Sequence, residues 1–137
     1  MDLGGKCGEL QGEPLHVRAY VKVLTDGRFT HSGPVERGVS ADLGPMARLQ
    51  VDGVDILVGS RRQQTLDPEL FLLHGVDVTR CRVIALKSSV HFRAAFAEIA
   101  REIISVDSPG LTARQIAAFP RKRAGRPLWP LDLSASF

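Results

Sequence analysis

A chain of 137 residues, 44% apolar and 24% charged, has the size and balance of one soluble globular domain. Its net charge of +3 is too small to demand nucleic acid, an anionic membrane or any other acidic partner. No apolar run approaches the roughly 20 residues of a membrane helix, and the start, Met1-Asp2-Leu3-Gly4-Gly5-Lys6, lacks the apolar core of a signal peptide. Cys7 and Cys81 lie in unrelated contexts, so no disulfide framework is expected and the expected compartment is the cytoplasm.

Residues 1–13 are glycine-rich, with Gly4, Gly5, Gly8 and Gly12 around Lys6. A phosphate-binding loop would need Ser or Thr after the lysine and a strand before the glycines. Cys7 follows instead, so this stretch reads as a flexible lead-in or domain junction. Leu15, Val17, Ala19, Val21 and Val23 then alternate with His16, Arg18, Tyr20 and Lys22. That period of two predicts a strand with one wet face. Asp26-Gly27 predicts a tight turn, with Arg28–His31 as the returning strand. Val39–Leu43 predicts another short strand, broken by Gly44-Pro45.

A second Asp-Gly pair, Asp52-Gly53, separates Ala47–Val51 from Val54–Val58. It predicts a second hairpin whose apolar second arm is central in the sheet. The polar loop Gly59–Thr65 follows. Asp67 before Pro68 is favourable helix-start chemistry and predicts a short helix over Glu69–Leu73, closed by Gly75.

The stretch Cys81–Arg101 is the most informative. Arg82–Leu86 is short, apolar and β-branched, as in a buried strand. Ser88 and Ser89 supply cap chemistry. Phe92, Phe96, Ile99 and Ile103 then recur at helical spacing and predict one long apolar helix face. Ile103–Val106 reads as a further strand. Two strands joined by one helix predict a parallel βαβ unit with a right-handed crossover. Asp107–Gly110 predicts a turn, and Thr112 caps a predicted short helix over Ala113–Ala118. The fold class expected is α/β, of α+β character: a single domain over 14–132 whose mixed sheet begins with two hairpins and ends in the βαβ unit, followed by a tail at 133–137.

Candidate chemistry is sparse. His16, His31, His74 and His91 show neither an HExxH nor a zinc-finger spacing, so no complete metal site is expected here. No GxSxG is present, and Ser88 or Ser89 with His91 lacks an orienting carboxylate. Arg121, Lys122, Arg123 and Arg126 make a basic tail without the aromatic partners of a nucleic-acid site, and Trp129 between Leu128 and Pro130 reads as a packing anchor. Arg61 and Arg62 leave the end of a predicted strand. They either grip a carboxylate bidentately or form ordinary surface ion pairs. With Lys87, Ser88, His91 and Arg93 they make the expected substrate-facing polar cluster, at a turn where a helix start would favour negative charge. Asp67 is the candidate internal partner for those cations.

Taken in order, six segments resemble the C-terminal domain of the microcystinase C family. They are the glycines around Lys6, Asp26–His31, Ser60–Gln63 with Asp67-Pro68, Lys87–Arg93, Val106–Thr112 and Arg126–Asp132. The blocks Lys-Ser-Ser-Val-His-Phe-Arg and Arg-Pro-Leu-Trp-Pro-Leu-Asp carry most of the specificity. Ser89 stands where alanine is common in the family, and Thr65 where a proline often precedes the aspartate. The resemblance implies part of a zinc metallopeptidase whose ligands sit in an N-terminal catalytic domain outside this chain. It implies that domain as the partner, a peptide-like substrate, zinc only in the longer protein, and no activity for this chain alone. A free-standing module binding an anion, a peptide or a protein is the alternative, and neither nucleic acid nor membrane is expected as a partner.

Overall fold

The computed structural model describes residues 1–6, 12–106, 122–123, 125, 127–129, 131–132 and 134. The chain clusters into two compact units, one of Met1–Asp2 with His16–Ile104 and one of Leu3–Leu15 with Ser105–Phe137. Strands dominate, all in antiparallel pairs, and the described helices are single turns. They are β1 (Asp2–Leu3), β2 (Leu15–His16), β3 (Tyr20–Thr25), β4 (Arg28–Thr30), β5 (Ser40–Asp42), β6 (Met46–Val51) and β7 (Val54–Gly59). Two α-helical turns follow, α1 (Glu69–Leu72) and α2 (Arg93–Phe96), with a 3₁₀ turn at Val78–Arg80 between them.

The first expected hairpin is not one. β3 and β4 do not pair with each other; β3 pairs with β6 and β4 with β5. The partners run from Tyr20 with Gln50 and Thr25 with Met46 to Arg28 with Asp42 and Thr30 with Ser40. Residues 20–30 and 40–51 are thus the two arms of one long hairpin. Its loop is 31–39, closed by His31 N–H donating to the Val39 carbonyl at 2.9 Å. Asp26-Gly27 is a bend within an arm. Gly27 has a φ of 73°, and a Cβ there would stand 2.0 Å from the Gly44 carbonyl oxygen, so only glycine lets the arms cross so closely.

Asp52-Gly53 behaves as expected. Both residues have positive φ, 47° and 82°, the signature of a type I′ turn. β6 and β7 pair in unbroken register from Val51–Val54 to Met46–Gly59. Among the described residues the strand order β3-β6-β7 makes β6 central and β7 an edge, where Val54–Val58 was expected to be central.

The start of α1 also follows from its sequence. Asp67 Oδ1 accepts from Glu69 N–H at 3.1 Å, and Pro68 occupies the first turn without needing a donor. At the far end Gly75 is left-handed, with Gly75 N–H bonded to Leu72 O and Val76 N–H to Phe71 O. This doubly bonded glycine stop uses up two carbonyls the helix leaves over. His74, fully buried, then docks the helix on the sheet. Its Nδ1–H donates to Leu70 O at 2.8 Å, and in the neutral ring Nε2 accepts from the Thr25 hydroxyl at 3.2 Å. Ala41, Leu43 and Met46 form the core beneath, with Phe29 and Leu70 against them.

The parallel βαβ unit is absent from the described residues. Arg82–Leu86 and Ile103–Val106 form no ladder. The helix is one turn, with Phe92 before it and no side-chain cap from Ser88 or Ser89. Val83 is 85% exposed and Ile104 74%, so these positions of the runs that signalled buried strands stand open to water. In the second unit, Leu128 N–H donates to Asp132 Oδ2 at 2.6 Å across a tight turn. Trp129 there is 60% exposed. The turn expected at 107–110, the helix expected at 113–118, and Arg121 and Arg126 lie outside the described residues.

Asp67, 1% exposed, also accepts from Gly33 N–H at 3.0 Å and lies 2.9 Å from His31 Nδ1. Asp67→Ala leaves these donors unpaired in the interior and is expected to cost about 3 kcal/mol. Urea unfolding checks this, and a loss below about 1 kcal/mol would mean the carboxylate is dispensable.

Candidate functional site

The loop after β7 is held at its first residues. The Ser60 hydroxyl donates to Pro45 O at 2.6 Å, and Arg61 N–H to Leu43 O at 2.9 Å. The Arg61 guanidinium then turns back onto Asp42, with Nη1 2.8 Å from Oδ2. Arg28 approaches the same oxygen at 3.6 Å. Asp42 is itself fixed by an Asx turn, accepting from Gly44 N–H at 2.9 Å. That hydrogen bond holds the Asp42 carboxyl below its ordinary range, against the opposing effect of partial desolvation, and Arg61 and Arg28 push the same way. Of the two arginines read as carboxylate grips, Arg61 thus has an internal carboxylate, and it is Asp42 rather than Asp67. Arg62, the next residue, is exposed.

Gln64 closes the loop against the other signature block. Its Oε1 lies 3.1 Å from His91 Nδ1, which donates in that amide orientation. This hydrogen bond joins the Arg61–Arg62 loop to the Lys87–Arg93 turn, 27 residues apart in sequence. Around His91 the chain makes tight turns, with Arg93 N–H bonded to Val90 O and Ala94 N–H to His91 O. Phe92 and Phe96 anchor the turn from beneath, their ring centroids 6.5 Å apart, and Phe96 meets Phe71 of α1 edge-on at 6.1 Å. Lys87 and Arg93 are exposed, and the Arg93 guanidinium lies 5.4 Å from the Phe92 ring centroid. Ser88 Oγ is buried without a hydrogen-bond partner among the described residues.

Of the expected residues, His91 is bonded to the loop that carries Arg61 and Arg62, while Arg62, Lys87 and Arg93 are exposed. Gln64, which the sequence did not single out, makes the link between the two loops. Asp42, the anchor of Arg61, was also missed, although Asp42-Leu43-Gly44 carries the signal of an Asx turn. The helix-start site for an anion does not stand, because α2 has only one turn. The histidines are dispersed over separate partners: Asp2 for His16, Asp67 for His31, Leu70 and Thr25 for His74, Gln64 for His91. Among the described residues no three His, Cys, Asp or Glu side chains converge to hold a metal ion. No helix among them is long and apolar enough to cross a membrane.

A family model described as the MlrC C-terminus matches residues 1–123. The chain belongs to this family. Microcystinase C of Sphingomonas sp. is 31% identical over 130 residues, which is 95% of this chain and 24% of that protein. A crystal structure from Mesorhizobium sp. BNC1, named as a metallopeptidase, matches with a TM-score of 0.79 at 35% identity, over 91% of this chain and 25% of that one. The MlrC C-terminus family thus covers nearly the whole chain, while the chain spans about a quarter of the length of these relatives.

Because the Asp42 carboxyl is held low, its contacts with Gly44 and Arg61 contribute stability above the ordinary carboxylate pKa of about 4. That contribution is lost as pH falls through the lower folded value. A carboxyl-carbon NMR titration should place Asp42 below the ordinary range, and Arg61→Ala should move it upward. A midpoint unchanged by Arg61→Ala would show that the guanidinium is not engaged in solution.

Proposed function

We propose that this chain is the C-terminal domain of a microcystinase C-type metallopeptidase and forms the substrate side of a metal site carried by an N-terminal domain. The family membership supplies the class. The observation that carries the assignment within the chain is the Gln64–His91 hydrogen bond, which ties the two blocks bearing Arg61, Arg62, Lys87, Ser88, His91 and Arg93. Arg62 and Lys87 hold their charges in water, where a peptide carboxylate can reach them. Arg61 shares its guanidinium with Asp42 and stiffens the loop beneath Arg62. Zinc is the metal the resemblance implies. Since no ligand set converges among the described residues, this chain's own contribution is binding and orientation. Two cysteines without disulfide spacing support a cytoplasmic location on this reading.

A free-standing anion or peptide module is the second reading, favoured by the same exposed cations, which need no catalytic domain to attract a carboxylate. Activity separates the two. In a full-length protein carrying this domain, Arg62→Ala and His91→Ala should each raise KM for a peptide about tenfold, with a smaller change in kcat. Unchanged KM in both would remove the substrate role.

The isolated chain should retain less than one zinc per molecule after dialysis and cleave no peptide. Elemental analysis giving one tightly held zinc would overturn the division of labour between the domains.

A further inference from the structure

We propose that the outer edge of β7 is a docking edge, and that its occupant is an extended strand from the part of the full-length protein outside this chain. This rests on the reading of the chain as a C-terminal domain.

The geometry of the hairpin says which groups are on offer. A two-residue type I′ turn makes its flanking pair, Val51 and Val54, a hydrogen-bonded pair. Pairs then alternate along the ladder, so Ile56 and Val58 bond inward to Leu49 and Ala47. Asp55, Leu57 and Gly59 consequently direct their N–H and C=O groups away from β6. No strand pairs with β7 on that side among the described residues.

The sheet has two edges, and they differ. The β3 edge is blunted by a bulge between Val21 and Val23, with Lys22 at the irregular position. Bulges and edge lysines are how sheets discourage further pairing. β7 carries neither: six residues run in unbroken register, and the one charge on it, Asp55, is paired with Arg48 at 2.7 Å.

Its side chains are also prepared for a neighbour. Register puts Leu24, Ala47 and Val58 in one row across a sheet face, and Val21, Leu49 and Ile56 in the next. At the β7 end of these rows Val58 is 37% exposed and Ile56 half-buried, Val54 farther along the same face of β7 is 60% exposed, and Leu49 at the centre is buried. A solvated face of an antiparallel sheet normally alternates to polar residues. A strand with apolar residues at every second position would pair with β7 and lengthen both rows. The occupant follows from length: the relatives carry about three quarters of their chain outside the matched region.

Hydrogen exchange tests this at named amides, in the isolated chain and in a chimera where the chain replaces the matching quarter of the Sphingomonas relative. In the isolated chain Asp55, Leu57 and Gly59 should exchange quickly while Ile56 and Val58 are protected. In the chimera the outward three should slow about 100-fold, and Val54→Lys with Val58→Lys should reverse the slowing. Unchanged fast exchange at the outward three, with Ile56 and Val58 still protected, overturns the proposal. So does concentration-dependent protection in the isolated chain, which would assign the edge to a second copy, or protection that appears only on adding a substrate peptide. Should the chimera fail to fold, the aligned amides of the native relative give the same reading. Protection with KM unaffected by both Arg62→Ala and His91→Ala would keep this interface and remove the substrate role; the opposite pair of results would do the reverse.

Discussion

Asp67 accepts hydrogen bonds from chain segments 34 and 36 residues apart in sequence from it, at Gly33 and His31, while capping the helix that begins beside it. A carboxylate this deep is tolerable only because its oxygens are occupied. The constraint reaches further than the three bonds. Gly33 approaches so closely that a Cβ there would lie 2.6 Å from the Asp67 Cβ, so the loop of the long hairpin is seated directly on the helix start. From that start α1 runs to His74, which bonds back to Thr25 on β3, while Arg48 of β6 reaches the His74 carbonyl at 3.1 Å. Loop, helix and sheet are thereby closed into one ring of contacts. The second nitrogen of His31 sits 3.5 Å from Glu36 without hydrogen-bond alignment, so the Asp67 side of the ring carries the load.

What the sequence made legible was local. Asp52-Gly53 fixed a turn because both of its residues adopt positive φ and the flanking strands match in register. Asp67-Pro68 and Gly75 marked α1 because capping is decided within a few residues. Asp26-Gly27 carries the same dipeptide as the true turn and yet is a bend. A positive φ at Gly27 serves either purpose. Here β3 and β4 take β6 and β5 as partners, and Gly27 passes so near Gly44, seventeen positions on, that a Cβ there would stand 2.0 Å from its carbonyl oxygen. Pairing between segments is settled by contacts that no dipeptide encodes.

The site was legible in the same uneven way. The two blocks that resemble the family are where the sequence placed the cations, and one hydrogen bond, from His91 to Gln64, joins their loops. Their joint depends on Gln64, a residue with no pattern signal, and the division of labour between Arg61 and Arg62 depends on Asp42, which lies on β5. Two adjacent arginines are chemically identical on paper. One became a strut because its backbone N–H is tied to Leu43, which carries its side chain over the Asx turn. The other was left facing water.

The largest disagreement has a physical cause of its own. Arg82–Leu86 and Ile103–Val106 have the β-branched composition of buried strands, and neither forms a ladder among the described residues. Most of what stabilises a strand lies outside it, in cross-strand side-chain pairs and in the layer that covers it. Composition therefore reports that a segment suits a sheet, not that a sheet is present. Val83 and Ile104 keep most of their surface in water, at an expected cost of about 2 kcal/mol for each such side chain left unburied. On the reading proposed above, that cost is removed when the remaining length of the protein supplies a covering layer. On that reading the open edge of β7 and the exposed positions of these runs share one cause, interface residues whose partners lie in the part of the protein that the relatives carry outside the matched region.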